Sequence, residues 1–252
     1  KLFQFVEKLS QRSSGQTGVD LVQLKGYNSP LPPTKAEQTA IATVLSDTDE
    51  LITSLDKLIA KKQNIKEGAM HQLLKPKAGW EEKDFGDVTE RIIGGGTPSR
   101  TNSNYWGDEI PWVTVKDFAT FNPYRTQDYI TREGLKNSAS HLIPKGIIIT
   151  STRMALGKAV IYNMDVSINQ DLKAIFLRKD MDTMFMYYWF QFKSKQIEDL
   201  GSGSTVMGLS LPDLKKIKIA VPRTKKEQTH IANILSDMDA EIESLEQKRD
   251  KY

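Results

Sequence analysis

The chain has 252 residues, 38% of them hydrophobic and 27% charged, with a formal net charge of +3. That balance supports a globular core and excludes a disordered chain, and no apolar run approaches the ~18 residues that cross a bilayer. With no Cys, disulfides and thiolate metal sites are excluded, and His71, His141 and His230 lack the spacing of a metal site.

The opening residues, KLFQFVEKLSQRSSGQTGVD, carry neither the apolar stretch nor the cleavage site of a signal peptide, so a cytoplasmic chain with no membrane partner is expected. There is no initiator Met, which fits a fragment. The next stretch is the most informative. Residues 31–62 and 221–252 align at a constant offset of 190, with 16 of 32 positions identical. This is an internal repeat. Each copy begins with a capping box, Thr34 with Glu37 and Thr224 with Glu227, in which the threonine accepts an orphan N–H and the glutamate reaches back to the cap.

An apolar stripe at alternating spacings of four and three follows each box. It runs through Ile41, Leu45, Thr48, Ile52, Leu55 and Ile59 in the first copy and Ile231, Leu235, Met238, Ile242 and Leu245 in the second. A stripe this narrow predicts a coiled-coil seam, with the two helices packed on each other or on equivalent helices of a second chain. The first helix is expected from residue 35 to about residue 74, a length of about 60 Å. Two unrelated surface helices are the plainer alternative.

Residues 75–80 read as a linker, and residues 81–222 as one mixed unit. Short β-branched runs at 110–115, 146–153, 158–163, 173–178 and 217–222 predict strands. Residues 181–200 and 209–217 predict helices, the first capped by Asp182 or Thr183 with its aromatic residues Tyr187 to Phe190 in the core. Mostly local strand pairing and an α+β class are expected. Residues 1–30 echo the end of this unit: FQF at 3–5 matches FQF at 190–192, and the Gly/Ser-rich stretches that follow run in parallel. The repeating unit is therefore a globular domain followed by a long helix. The domains read as 1–30, the tail of a first globular domain; 31–75, a central helix; 76–222, a full domain; and 223–252, a distal helix.

Four stretches now carry a resemblance: LPPTKAEQTAIATVLSDTDELI (31–52) with its echo at 221–242, GGGTPSRTNSNYWGDEIPWVTVKD (94–117), IPKGIIITSTRMALGKAVIYNMDVSINQDLKAI (143–175) and GSGSTVMGLSLPDLKKIKIAVP (201–222). In this order the chain resembles the specificity (S) subunit of type I restriction–modification enzymes, lacking most of a first target-recognition domain. The resemblance implies that each target-recognition domain reads one half of a bipartite site in double-stranded DNA. It implies that the long helices form an antiparallel coiled-coil spacer and dock methyltransferase (M) subunits, with the restriction/motor (R) subunit joining through M. It implies S–S pairing if the chain is half a subunit. S-adenosylmethionine, ATP and Mg would belong to the partner subunits, with no cofactor in this chain.

The residues themselves suggest no catalysis. GGG at 94–96 lacks the lysine of a phosphate loop, and NPY at 122–124 lacks the second proline and the preceding Gly-rich strand of an amino-methyltransferase. DNA reading needs phosphate donors and side chains that reach base edges. Residues 80–222 hold 18 Lys+Arg against 17 Asp+Glu, so any footprint is local; between Arg91 and Lys158 the count is 9 against 5. The loop with Thr97, Ser99, Arg100, Asn102, Asn104 and Tyr105 is the leading candidate, Arg suiting guanine and Asn adenine. Further candidates are Lys116 and Asp117 at a strand end, Ser151, Arg153 and Lys158 around a flexible Ala-Leu-Gly, and Asn169 and Gln170, for which bracing a neighbouring loop is the stronger reading. Residues 201–205 could approach a DNA backbone or end a helix. A coiled-coil scaffold whose globular domain binds protein is the rival reading, favoured by the near-neutral domain charge.

Overall fold

The computed structural model describes residue 6 and residues 11–13, 16–19, 21–28, 30–202 and 208–252. The FQF echo at 3–5 and residues 203–205 lie outside these. The chain divides into two compact units, Lys1–Leu58 with Lys248–Tyr252, and Ile59–Gln247.

In the first unit, strands β1 (Gln11–Ser13) and β2 (Gln16–Gly18) pair as an antiparallel hairpin, followed by the short helix α1 (Leu21–Lys25). Helix α2 (Lys35–Leu74) starts here and ends in the second unit. Its capping box is reciprocal: Glu37 N–H donates to Thr34 Oγ1 at 3.2 Å, and Thr34 N–H donates to Glu37 Oε2 at 3.3 Å. Arg249 lies 3.3 Å from Asp56 within this unit.

The second unit carries two four-stranded sheets. One has the order β6-β5-β10-β7, from β5 (Trp106–Val113), β6 (Asp128–Ile130), β7 (Leu142–Ile143) and β10 (Val166–Ile168). The other has the order β4-β11-β8-β9, from β4 (Thr89–Gly94), β8 (Ile148–Ser151), β9 (Ala159–Ile161) and β11 (Leu172–Leu177). A third pair joins β3 (Glu81–Asp84) to β12 (Lys218–Val221), strengthened by Lys218 at 2.8 Å from Asp84. Short helices α3 (Phe85–Val88), α4 (Arg132–Lys136) and α6 (Leu211–Lys216) bridge these strands, and α5 (Thr183–Ser202) and α7 (Lys225–Arg249) complete the unit.

The α+β class, the expected strands and both expected helices are present. The expectation of mostly local strand pairing is corrected. β3 pairs with β12 across more than a hundred residues, β4 with β11, and β5 with β10 in parallel. The strands that sequence reading missed are polar or short, and their partners lie far along the chain.

The seam residues fall into different settings. Ile231 and Leu235 are 3% and 0% exposed, packed with Ala232 into the core built around Phe85, Phe185, Met186, Trp189 and Phe190. They therefore anchor α7 to the globular domain rather than to another helix. Met238 packs at the edge of that core. Ile41 and Leu45 are 50% and 61% exposed. Ile52 and Leu245 are half-buried, whereas Leu55, Ile59 and Ile242 are buried. Helix pairing within the second unit rests on the part of α2 beyond Ile59: Lys62 meets Glu241 at 2.6 Å and Lys66 meets Asp239 at 2.5 Å. The partner numbers fall as the α2 numbers rise, so the two helices run antiparallel there. Asp239 also accepts from Tyr188 Oη–H at 2.8 Å, and Lys66 sits 5.4 Å over the Tyr188 ring. Burial and this carboxylate push the Tyr188 phenol above its usual range.

Candidate nucleic-acid interface

Three connections leave neighbouring strand ends and meet at one edge of the two sheets: residues 95–105 after β4, 152–158 after β8, and 169–171 between β10 and β11. Backbone bonds draw them together. Gly96 N–H donates to Ile168 O at 3.0 Å, Thr152 N–H to Asp171 O at 3.1 Å, and Asn169 N–H to Val113 O at 3.0 Å. Two glycines make the closest approach possible. A Cβ at Gly95 would stand 1.8 Å from Ile168 O, and one at Gly96 would stand 2.6 Å from the Ala139 carbonyl carbon. Gly157, at φ 76°, does the same for the second loop, where a Cβ would meet Ser194 O at 2.2 Å.

The side chains of the first loop divide by role. The Thr97 hydroxyl donates to Gln170 Oε1, and Ser99 and Thr101 share a hydroxyl bond at 2.9 Å. Asn102 caps a single turn by accepting from Asn104 N–H at 3.1 Å, and the Asn104 and Tyr105 carbonyls accept from Thr131 at 2.7 and 3.0 Å. Arg100 is exposed, its guanidinium carbon 4.4 Å from the Trp106 ring centroid and 5.6 Å from that of Trp112. Among the described residues no carboxylate forms an ion pair with it.

Beside this loop, Gln170 is exposed, and its carbonyl accepts from Lys173 Nζ at 2.7 Å. Burial lowers the Lys173 pKa, with Asp171 opposing the shift and Arg153 adding to it. Arg153 is exposed but lies 3.7 Å from Asp171, so part of its charge is answered within the chain. Lys158 and Lys116 are exposed. Lys158 borders a pocket of about 300 Å³ shared with Phe118, Phe121 and Tyr187.

Asp117 and Ser151, expected to contact DNA, take bracing roles instead, and Asn169 takes the bracing role that is its stronger reading in the sequence. Asp117 is 4% exposed, and its carboxylate accepts from Thr114 N–H and Gln127 N–H, both at 2.8 Å. Ser151 is 3% exposed within β8, its hydroxyl accepting from Arg153 N–H at 3.4 Å. Asn169 is 8% exposed and accepts from Asp171 N–H at 3.1 Å. Each closes a turn that positions its neighbours. Exposed candidates on these three connections are Thr97, Ser99, Arg100, Asn104, Arg153, Lys158 and Gln170.

Sequence reading places Trp112 in the expected strand at 110–115 and Trp106 at the end of the candidate loop, and gives neither a role there. Their rings meet edge to face at 5.1 Å, and their indole N–H groups donate to Ser99 O and Gly96 O, both at 3.1 Å.

A family model described as "Type I restriction modification DNA specificity domain" matches residues 77–251. The type I restriction enzyme MjaIX specificity subunit of Methanocaldococcus jannaschii is 32% identical over 176 residues, 68% of this chain and 40% of that protein. The putative MjaX specificity subunit of the same organism is 29% identical and covers 99% of this chain and 60% of its own length. The chain thus spans 40–60% of these two relatives. The HsdS subunit of Thermoanaerobacter tengcongensis shares the fold at a TM-score of 0.61 and 18% identity, over 98% of this chain and 62% of that one. The S subunit of a type I system from M. genitalium shares it at 0.69 and 16% identity, over 98% and 66%. With the family model covering most of its length, this chain belongs to the type I restriction–modification DNA specificity domain family.

Proposed function

We propose that this chain reads one half of a bipartite duplex DNA site and docks methyltransferase subunits through its helices, with a restriction/motor subunit joining through them. The carrying observation is the loop edge, where Arg100, Arg153, Gln170 and Thr97 stand exposed on three connections locked together at their roots. Phosphate contacts from such cations would position the domain and base-edge donors would specify the sequence. S-adenosylmethionine, ATP and Mg would be held by the partner subunits.

The second half-site would be read by a further domain of the same kind, whose tail is residues 1–30. In support, the second repeat copy buries Ile231, Ala232 and Leu235 on a globular domain, whereas Ile41, Ala42 and Leu45 present the same positions exposed. If the chain works as a half subunit, pairing with a second copy would supply the second reader. The helices would then set the gap between half-sites, and deleting four residues from α2 should change that gap.

Methylation mapping in cells carrying the complete system tests the whole reading: a bipartite methylated motif is expected, and an uninterrupted motif would overturn it. For the chain alone, duplex affinity should fall steeply with salt, as counterion release requires. Salt-independent binding would favour the protein-binding scaffold.

A further inference from the structure

Arg100 differs from the other exposed cations of the loop edge in being held without being neutralised. Arg153 leans on Asp171 at 3.7 Å, whereas Arg100 lies on an indole shelf, 4.4 Å from Trp106, with Trp112 behind it. A cation over an indole face is attracted by the ring quadrupole and keeps its N–H edge available. The shelf is itself fixed. Trp106 donates to Ser99 O beside Arg100, Trp112 donates to Gly96 O at the loop root, and Gly96 packs so close to Ala139 that no side chain would fit there. On β5, the Glu109 carboxylate accepts from Arg132 N–H at 2.6 Å. The result is a planar, permanently charged fork of donors whose orientation is set before any ligand arrives.

We propose that Arg100 is the guanine-reading residue of this domain, donating two parallel hydrogen bonds to O6 and N7 in the major groove, and that Trp106 is its positioning residue. This rests on the DNA-reading function proposed above. It adds a base identity and assigns a role to an aromatic residue that touches no base. A planar guanidinium matches the two acceptors of guanine, which a lysine ammonium cannot bridge in the same way.

The test is selection of bound duplexes from a randomised pool by the full chain, with sequencing of the enriched DNA. The wild-type profile should contain a position with a strong guanine preference. Arg100→Lys keeps the charge and should relax that position by roughly 5- to 150-fold, the range for one bidentate contact, while sparing the other positions. Trp106→Leu should relax the same position, and Trp106→Phe, which restores a ring beneath the cation, should recover most of it. Arg91→Lys is the control, because Arg91 of β4 lies 4.2 Å from the ring centroid of Phe176 on the neighbouring β11, and the change should leave every position unchanged. An unchanged Arg100→Lys profile, or loss at a position that is not guanine, overturns the proposal. If Trp106→Leu folds and keeps the guanine preference that Arg100→Lys loses, the positioning role fails. Enrichment of no duplex by the wild-type chain would instead overturn the DNA-reading function itself.

Discussion

Leu45 and Leu235 hold the same place in two copies of one helix, yet Leu45 is 61% exposed and Leu235 is fully buried. The divergence holds over the first turns of the face. Ile41 is 50% exposed against 3% for Ile231. Gln38 Nε2 donates to Pro32 O at 3.0 Å, and Gln228 Nε2 makes the matching bond to Pro222 O at 3.2 Å. Gln228 alone goes on to accept from Asp182 N–H at 2.8 Å, and its neighbour Thr229 donates to the Asp182 carboxylate at the same distance. Asp239 collects Lys66 and Tyr188, whereas its counterpart Asp49 is exposed. Near-identical helices thus differ because one has a domain packed on it. Gln38, Ile41 and Leu45 keep in the first copy the side chains that Gln228, Ile231 and Leu235 use for that packing.

Truncation should separate the two copies most sharply at the leucines. Leu235→Ala removes a fully buried side chain and should cost about 2–5 kcal/mol, whereas Leu45→Ala should cost under about 0.5 kcal/mol. Denaturant unfolding of both variants measures the gap, and equal losses would mean the copies are packed alike. The glutamines give the next contrast. Gln228→Ala strands the Asp182 N–H in a buried setting, at a cost of roughly 1–3 kcal/mol, while Gln38→Ala loses one exposed bond and should cost far less.

The smallest effect should erase the contrast. Thr34 and Thr224 each accept the N–H of the glutamate three residues on, at 3.2 and 3.3 Å. Either Thr→Ala change should loosen its own helix start by about 1 kcal/mol. Amide exchange at Glu37 and Glu227 would register it, and unaltered protection in both would show that the caps contribute nothing.

Much of this was legible from sequence because the signals are local. Capping boxes, the aromatic helix α5 and the β-branched strands depend on neighbours within a few positions. Even there the two boxes differ, since Glu227 accepts from Trp80 Nε1–H at 3.0 Å while Glu37 reaches back to its cap. The strand Glu81–Asp84 carries four charged residues in a row and shows no strand pattern; it exists because Lys218 and Arg223 meet its carboxylates across the chain. The periodic stripe on α7 was visible, but periodicity says that a face is buried and not by what. At the loop edge, residue type found Arg100 and Gln170. It also selected Asp117, Ser151 and Asn169, whose small polar side chains serve equally well to close turns. Trp106 was missed because its contact with Arg100 is made by the fold of the intervening loop.

The pairing of Arg100 with Trp106 has an optical side. The chain contains four tryptophans. Trp80 and Trp189 belong to the core around α5, and Trp106 and Trp112 lie together beneath the exposed guanidinium. The emission of an indole depends on the charge resting on its face, so the placement of that cation is written into the protein's own fluorescence. Occupancy of the loop edge can therefore be followed without a label, at the one spot where recognition is proposed to happen.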